Sequence, residues 1–128
     1  MRYTYNKDEK LKSQKAIEQL FAEGKSVLAY PLRMVYLNNQ SQLKVGVSVS
    51  KRNFKLAVHR NRVKRLLREG YRLNKNLLID NKLDHYTLMI LYISKEMPDF
   101  KTIDKKMKAL LTKFNDQVSN IEKNEKDI

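Results

Sequence analysis

Residues 43–74, LKVGVSVSKRNFKLAVHRNRVKRLLREGYRLN, contain the pattern that decides the fold. From Leu43 to Val49 every second side chain is apolar, which predicts a β-strand with one buried face. From Val58 to Asn74 the apolar side chains recur instead about every 3.6 residues, which predicts an amphipathic helix about 25 Å long. The stretch therefore predicts a strand followed by a helix, each with one face in the core.

Two elements are predicted before this stretch. Residues 13–23 carry apolar side chains at helical spacing, and Gly24 follows where the C-cap of a helix would lie. Residues 27–37 are rich in β-branched and aromatic types, and Pro31 predicts a kink within this strand. We expect the kinked strand to pair antiparallel with the strand at residues 43–50.

Two further elements are predicted after it. Residues 86–93, YTLMILYI, are nearly all apolar, which predicts an interior strand covered on both faces. Apolar residues recur at helical spacing from Ile103 to Ile121, and the chain becomes a mixed-charge tail after Ser119. The predicted fold class is therefore α+β, with a central, mostly antiparallel sheet and three helices in the order α-β-β-α-β-α.

The length of 128 residues is that of one domain, so we predict a single compact domain over residues 1–128. Its ordered core should run from about residue 10 to residue 118, between a short charged N-terminal segment and the tail. The sequence has no cysteine, which excludes disulfide scaffolds, thiol nucleophiles and cysteine zinc sites. It also has no apolar stretch long enough for a membrane span or a signal peptide, so a cytoplasmic location is expected.

The charge is strongly positive and concentrated. The chain has 27 Lys and Arg against 14 Asp and Glu, which gives a net charge of +13. Residues 51–75 hold ten basic side chains and one acidic side chain, so nine of the thirteen net charges lie in this segment. A balance of this kind is typical of proteins that bind a polyanion.

The predicted helix from Val58 to Asn74 carries most of this charge on one side. Its apolar stripe comprises Val63, Leu66, Leu67, Gly70 and Tyr71. At about 100° per residue, the opposite side comprises Asn61, Lys64, Arg65, Arg68 and Arg72. Like charges four residues apart repel each other, so an anionic partner should compensate them. Since the apolar stripe is needed for the core and cannot enter lipid, nucleic acid is favoured over a membrane surface.

The residues give no indication of an active site in the protein itself. The two histidines, His59 and His85, have no acidic residue at the spacing of metal ligands in a helix. There is no glycine-rich phosphate loop and no carboxylate cluster of the kind that holds two catalytic metals. We therefore expect no catalytic residue, and no metal or other cofactor bound by the protein alone.

The run Lys51-Arg52 followed by residues 57–69, AVHRNRVKRLLRE, resembles the signature of the bacterial ribonuclease P protein subunit. The hallmark of that family is an Arg-Asn-Arg motif followed by Lys-Arg, and the resemblance covers about residues 10–115. It implies a left-handed β-α-β crossover through the basic helix, against the usual right-handed rule. Lys55 departs from the family pattern, because many members have glycine there.

The resemblance also implies a function. The protein would be an accessory subunit of an endoribonuclease in which a catalytic RNA subunit with bound Mg²⁺ removes the 5′ leader of precursor tRNA. Its partners would be that RNA and precursor tRNA, with no protein partner and no membrane. Mg²⁺ would serve the holoenzyme and be held mainly by the RNA.

The resemblance further implies two sets of site residues. The RNA-binding set is Lys51, Arg52, Arg60, Asn61, Arg62, Lys64, Arg65, Arg68 and Arg72. A cleft for the single-stranded leader, between the first helix and the sheet, would contain Ile17, Phe21 and Tyr36, although Ile17 stands where the family often has an aromatic residue. Unpaired bases stack on aromatic platforms irrespective of sequence.

Some assignments stay open at this point. Phe21, Tyr36 and Phe54 could each be a core residue or a stacking residue. Asn61 could order the neighbouring arginines, bind a base edge or meet hydrated Mg²⁺ on RNA. The main alternative function is a structural RNA-binding protein of ribosomal-protein type. A DNA-binding regulator is less favoured, because the arginines run along the whole helix instead of clustering at one end.

Overall fold

A computed structural model of the chain describes residues 10–39, 42–79 and 85–126. The helices are α1 (Gln14–Glu23), α2 (Ala57–Asn74), α3 (Asn76–Ile79) and α4 (Phe100–Lys126). The strands are β1 (Lys25–Ala29), β2 (Leu32–Asn38), β3 (Lys44–Val49) and β4 (Tyr86–Tyr92). They form one sheet in the order β1-β2-β4-β3, with two antiparallel pairings and one parallel pairing. The predicted α+β class and mostly antiparallel sheet are confirmed.

The predicted kinked strand is in fact two strands. The chain reverses at Tyr30-Pro31, so that β1 and β2 form an antiparallel hairpin in which Val27 lies opposite Met34. Proline is suited to this place because a turn does not need its missing N–H group. The prediction of one strand was wrong because the apolar alternation continues on both sides of Pro31 and does not mark the reversal.

The predicted pairing between the two early strands is also wrong. β4 lies between them, antiparallel to β2 and parallel to β3, so that Ile90 is opposite both Met34 and Val47. Adjacent strands in the sequence often pair, which made the hairpin the default expectation. The apolar β4 takes the interior position instead, as its sequence predicts.

The unit β3-α2-β4 is a left-handed crossover. The even-numbered residues of β4 face α2 and α4. The odd-numbered residues at the two ends of β4 direct their backbone groups toward β2. His85 O accepts from Asn39 N at 2.9 Å, and Ile93 N donates to Pro31 O at 2.9 Å. The even-numbered residues therefore direct their backbone groups to β3. Consider the sheet viewed from α2, with β4 running upward. The L configuration of the residues then places β3 to the right of β4. The chain therefore runs from β3 on the right, through α2 in front of the sheet, to β4 on the left. This is the left-handed crossover that the family resemblance implies.

The two faces of the sheet are covered unequally. On one side α2 and α4 bury the larger core, where Leu67, Tyr71 and Phe114 are fully buried. Each side chain of this size stabilises the fold by about 1.5–3 kcal/mol. On the other side α1 alone covers the sheet through Leu20, which packs against Val35 and Met89. One helix of ten residues leaves part of this face open.

Gly24 positions α1 on the sheet. A Cβ atom at this residue would lie 2.4 Å from the carbonyl oxygen of Leu20 and 2.9 Å from that of Tyr36. The helix can therefore return to the sheet so closely only with glycine at its C-cap. At the other end of α1, the hydroxyl of Ser13 accepts a hydrogen bond of 3.2 Å from the N–H of Ala16.

A polar contact joins α2 to α4. Nδ2 of Asn74 donates to the carbonyl oxygen of Gly70 at 2.7 Å and to Oδ1 of Asp104 at 2.8 Å. Lys108 lies 3.2 Å from the other carboxylate oxygen of Asp104. The hydrogen bond from Asn74 lowers the pKa of Asp104 below its ordinary value, and Lys108 acts in the same direction.

This contact predicts a loss of stability in acid. Because the pKa of Asp104 is lowered in the folded state, its contribution is present above the ordinary pKa of 3.8 and is lost as the pH falls through the folded value. We expect Asp104→Asn to reduce the slope of unfolding free energy against pH below about pH 4. Urea denaturation at a series of pH values would measure both slopes. Equal slopes in the parent and the variant would contradict the prediction.

Candidate nucleic-acid interface

α2 and the loop before it carry a cluster of cationic side chains. We call it the basic surface, and it comprises Lys51, Arg52, Arg60, Asn61, Arg62, Lys64, Arg65, Arg68 and Arg72. Within it Arg60, Lys64 and Arg72 are half-buried, and the other six side chains are exposed. Val63 and Leu67 fix this orientation, because both are fully buried on the opposite side of the helix.

The Arg-Asn-Arg motif separates into different environments. Its residues lie at steps of about 100° around α2, so they cannot all face one ligand. Arg60 turns toward the preceding loop, where Nη1 donates to the carbonyl oxygens of Phe54 and Lys55, both at 2.8 Å. Asn61 and Arg62 are exposed. Arg60 is thus held by backbone carbonyls and also fixes the loop, a role that the sequence did not indicate.

Arg72 differs from the other cations of the basic surface. It forms an ion pair with Glu69, the single acidic residue of the 51–75 segment, with Nε 3.2 Å from Oε2. The hydrogen bond from Arg72 lowers the pKa of Glu69. Arg72 therefore offers a polyanion less uncompensated charge than Arg65 and Arg68 do.

The N-terminus of α2 strengthens the positive potential of the loop. The helix begins after Leu56 without a side-chain cap and without an acidic residue in its first turn. The positive end of its dipole therefore adds to the charges of Lys51 and Arg52. The loop itself is anchored by Phe54, which is buried with its ring 6.1 Å from that of Tyr92. Phe54 is thus a core residue, which settles its ambiguity.

Of the three residues predicted for the leader cleft, the structure places two on the same helix and the third on the opposite face of the sheet. Ile17 and Phe21 lie on α1, where Phe21 is 51% exposed. Tyr36 is on the opposite face of the sheet, with its ring 4.8 Å from that of Phe114. Its hydroxyl accepts a hydrogen bond from Gln117, and burial raises its pKa.

The assignment of Tyr36 to the cleft is therefore corrected to Val35. Successive residues of a strand face opposite sides, so an error of one position exchanges a cleft residue for a core residue. Val35 faces α1 and packs against Leu20. It has no aromatic ring, so Phe21 is the one aromatic residue among Ile17, Phe21 and Val35.

The sheet beside α1 contains further residues that the sequence did not indicate. The strand register aligns Leu28, Arg33, Leu91 and Ser48 in one row across all four strands. Leu28 is 52% exposed, and Arg33 is exposed between two apolar neighbours. We call this row the open sheet face. The alternation of side chains along each strand would have indicated this row if the pairing of the strands had been known.

The described part of the chain offers no obvious place for a metal ion. Among residues 10–39, 42–79 and 85–126, no group of three or more His, Asp or Glu side chains could hold one. His59 is exposed at the start of α2, and the ring of His85 lies 4.7 Å from that of Tyr86. In the same residues, no helix has the length and apolar character needed to cross a membrane.

The family profile of Ribonuclease P matches residues 5–115 of the chain. The chain belongs to the ribonuclease P protein family. It is 41% identical to the ribonuclease P protein component of Porphyromonas gingivalis, over 94% of this chain and 93% of that relative. It is 37% identical to the ribonuclease P protein component of Clostridioides difficile, over 84% of this chain and 92% of that relative.

The fold agrees with this membership. The ribonuclease P protein from Thermotoga maritima superposes with a TM-score of 0.68 at 26% identity, covering 80% of this chain and 94% of that protein. The predicted family, its α+β fold and its function in tRNA 5′ processing are confirmed. The chain thus has a role in a ribonuclease P enzyme, together with the RNA and the substrate of that enzyme.

The hydrogen bonds of Arg60 predict that two arginines of the basic surface behave differently. Arg60→Ala should lower the free energy of unfolding by about 1–2 kcal/mol, because it removes two hydrogen bonds from a charged donor. Arg65→Ala should leave it unchanged, because Arg65 is exposed. Both should weaken binding to a bacterial ribonuclease P RNA by about tenfold or more. Urea melts and filter binding separate the two effects, and equal stability of the two variants would contradict the role of Arg60 in fixing the loop.

Proposed function

We propose that the protein is the accessory subunit of a cytoplasmic ribonucleoprotein whose RNA subunit removes the 5′ leader of precursor tRNA. The observation that carries the proposal is the basic surface, where exposed arginines of like charge lie opposite a fully buried apolar face. Such a helix cannot bury its charges in the protein or insert into lipid. It can bind an extended array of phosphates, which the RNA subunit supplies.

The basic surface is the binding site for the catalytic RNA. Arginine forks bind phosphate oxygens in pairs, and the spread of side chains around α2 suits a folded RNA that contacts more than one side of the helix. Catalysis belongs to the RNA and its Mg²⁺, which the RNA phosphates mainly hold. By neutralising nearby phosphates, the protein lowers the Mg²⁺ concentration that the folded RNA requires.

The surface beside α1 binds the leader. Ile17 and Phe21 form its base-contacting part above the buried Val35, and the open sheet face extends it with Leu28 and Leu91. Arg33 lies among these apolar side chains, where its guanidinium would bind a phosphate of a single strand. Proteins that bind single strands without sequence preference combine positive charge along the backbone with aromatic stacking platforms, and Arg33 and Phe21 supply one of each here.

Multiple-turnover cleavage of a precursor tRNA at low Mg²⁺ tests the proposal. The assay compares a bacterial ribonuclease P RNA alone, the protein alone and both together. We expect efficient cleavage only with both, and none with the protein alone. Tight RNA binding without any effect on cleavage would contradict the subunit role and favour a structural RNA-binding protein of ribosomal type.

The salt dependence of RNA binding gives a second test. If six side chains of the basic surface meet phosphates of unpaired RNA, the plot of log affinity against log salt should have a slope of about −4. Arg65→Ala should make the slope less steep by about 0.7. A slope near zero would contradict electrostatic binding.

The corrected cleft predicts an effect that depends on the leader. Phe21→Ala should weaken holoenzyme binding of precursor tRNA by about 5- to 150-fold, because it removes one stacking platform. It should leave the affinity for mature tRNA unchanged. Tyr36→Phe serves as the control, since Tyr36 lies in the core on the other face and should affect neither substrate. Equal losses for precursor and mature tRNA would place Phe21 outside the leader site.

A further inference from the structure

A separate pocket of 770 Å³ lies at the end of the sheet where three loops meet. The β1–β2 turn contributes Tyr30 and Pro31, and the loop before α2 contributes Asn53. The segment between β4 and α4 completes the wall with Ile93, Ser94, Lys95, Glu96, Met97, Pro98 and Asp99. Its volume falls within the range of about 300–1,000 Å³ that is usual for small-ligand sites.

Hydrogen bonds between and within the walls hold the pocket in shape. Ile93 N donates to Pro31 O at 2.9 Å, which joins the β4–α4 segment to the β1–β2 turn. The hydroxyl of Tyr92 donates to the carbonyl oxygen of Glu96 at 2.7 Å. Asp99 Oδ1 accepts from the N–H of Thr102 at 2.8 Å, which fixes the start of α4. The pocket is therefore already formed in the isolated chain, so a ligand needs little ordering of these walls.

The apolar walls of the pocket are exposed to water. Tyr30 is 60% exposed, Met97 is 39% exposed and Ile93 is 37% exposed, although all three are large apolar or aromatic side chains. Exposed apolar side chains that cluster around a concave surface are typical of a binding site. The ring of Tyr30 gives this site a flat aromatic wall on which a planar ligand can stack.

The charge around the pocket differs from that of the rest of the molecule. Glu96 and Asp99 bring two carboxylates against the one ammonium of Lys95, whereas the whole chain has a net charge of +13. A phosphate is therefore disfavoured inside the pocket. A neutral planar ring with N–H donors is favoured, because a carboxylate or the side-chain oxygen of Asn53 can accept from it.

The position of the pocket connects it to RNA. Asn53 follows Lys51 and Arg52 directly in the chain, and the carbonyl oxygens of the next two residues are held by Arg60. An RNA phosphate bound by Lys51 or Arg52 would therefore lie one or two residues from Asn53 in the wall of the pocket. The pocket offers that RNA what the basic surface lacks, which is an aromatic wall and hydrogen-bond acceptors.

We propose that the pocket binds one unpaired nucleobase of the catalytic RNA held on the basic surface. Tyr30 stacks on the base, and Asn53 and Glu96 bind amino or imino groups at its edge. Proteins that recognise unpaired RNA commonly combine stacking with contacts to the base edge. The inference rests on the proposed function, because it needs the RNA subunit as the partner.

The test compares Tyr30→Ala, Tyr30→Phe and Glu96→Gln in the complex with a bacterial ribonuclease P RNA. Filter binding gives the affinity, and modification with dimethyl sulfate and kethoxal reports which base edges are covered. We expect Tyr30→Ala to weaken binding by about 5- to 150-fold and to expose one base. Tyr30→Phe keeps the ring and should behave as the parent. Glu96→Gln should expose the same base with a smaller loss of affinity.

The controls distinguish failure of the pocket from failure of the proposed function. Arg65→Ala should weaken binding without exposing that base, and Leu73→Ala, which changes an exposed apolar residue elsewhere on α2, should do neither. If Arg65→Ala weakens binding but Tyr30→Ala and Glu96→Gln change neither affinity nor modification, the pocket proposal alone is wrong. If the parent protein does not bind the RNA, the proposed function fails as well. A base protected in precursor tRNA instead of the RNA subunit would overturn the assignment to that RNA.

Discussion

The position of β4 inside the sheet is the constraint on which the rest of the structure depends. Its side chains are apolar on both faces, so the strand must have a layer on each side and a neighbour at each edge. Met89 meets the α1 layer, whereas Leu88 and Ile90 meet the layer of α2 and α4. Because β3 is parallel to β4, the chain must cross from one end of the sheet to the other, and α2 makes that crossing.

This crossing explains why α2, the helix with the highest net positive charge, also has a fully buried side. Val63, Leu67 and Tyr71 are fully buried on the inner side of α2, which leaves its other side for the arginines. Mutual repulsion of those arginines opposes folding, and burial of the inner side outweighs it. In the proposed complex RNA relieves the remaining repulsion, so stability and RNA binding would use opposite sides of one helix.

The other face of the sheet has a different character because α1 is short. Leu20 anchors the helix on Val35 and Met89, and its ten residues cannot cover four strands. The result is an open sheet face beside Phe21, with little charge apart from Arg33. At the end of the same sheet, the loop of Asn53 brings the proposed base pocket close to the basic surface. The proposed phosphate contacts and the proposed base contacts thus lie in different parts of one small molecule.

The sequence by itself determined the parts that depend on local periodicity and composition. Neighbouring residues are enough to indicate helices α1, α2 and α4, the interior strand 86–93, the cationic side of α2 and the family signature, because side-chain spacing follows from backbone geometry. The four-residue helix α3 was not predicted. Only the tertiary structure decided which strands pair, since hydrogen bonds between strands join residues distant in the chain. Pairing in turn decided that Pro31 is a turn, that Val35 and not Tyr36 faces α1, and that Arg60 holds the carbonyls of its own loop. Side chains of a strand alternate between the two faces of the sheet, so a shift of one residue exchanges the faces. These assignments therefore depend on contacts between distant segments, which no local pattern contains.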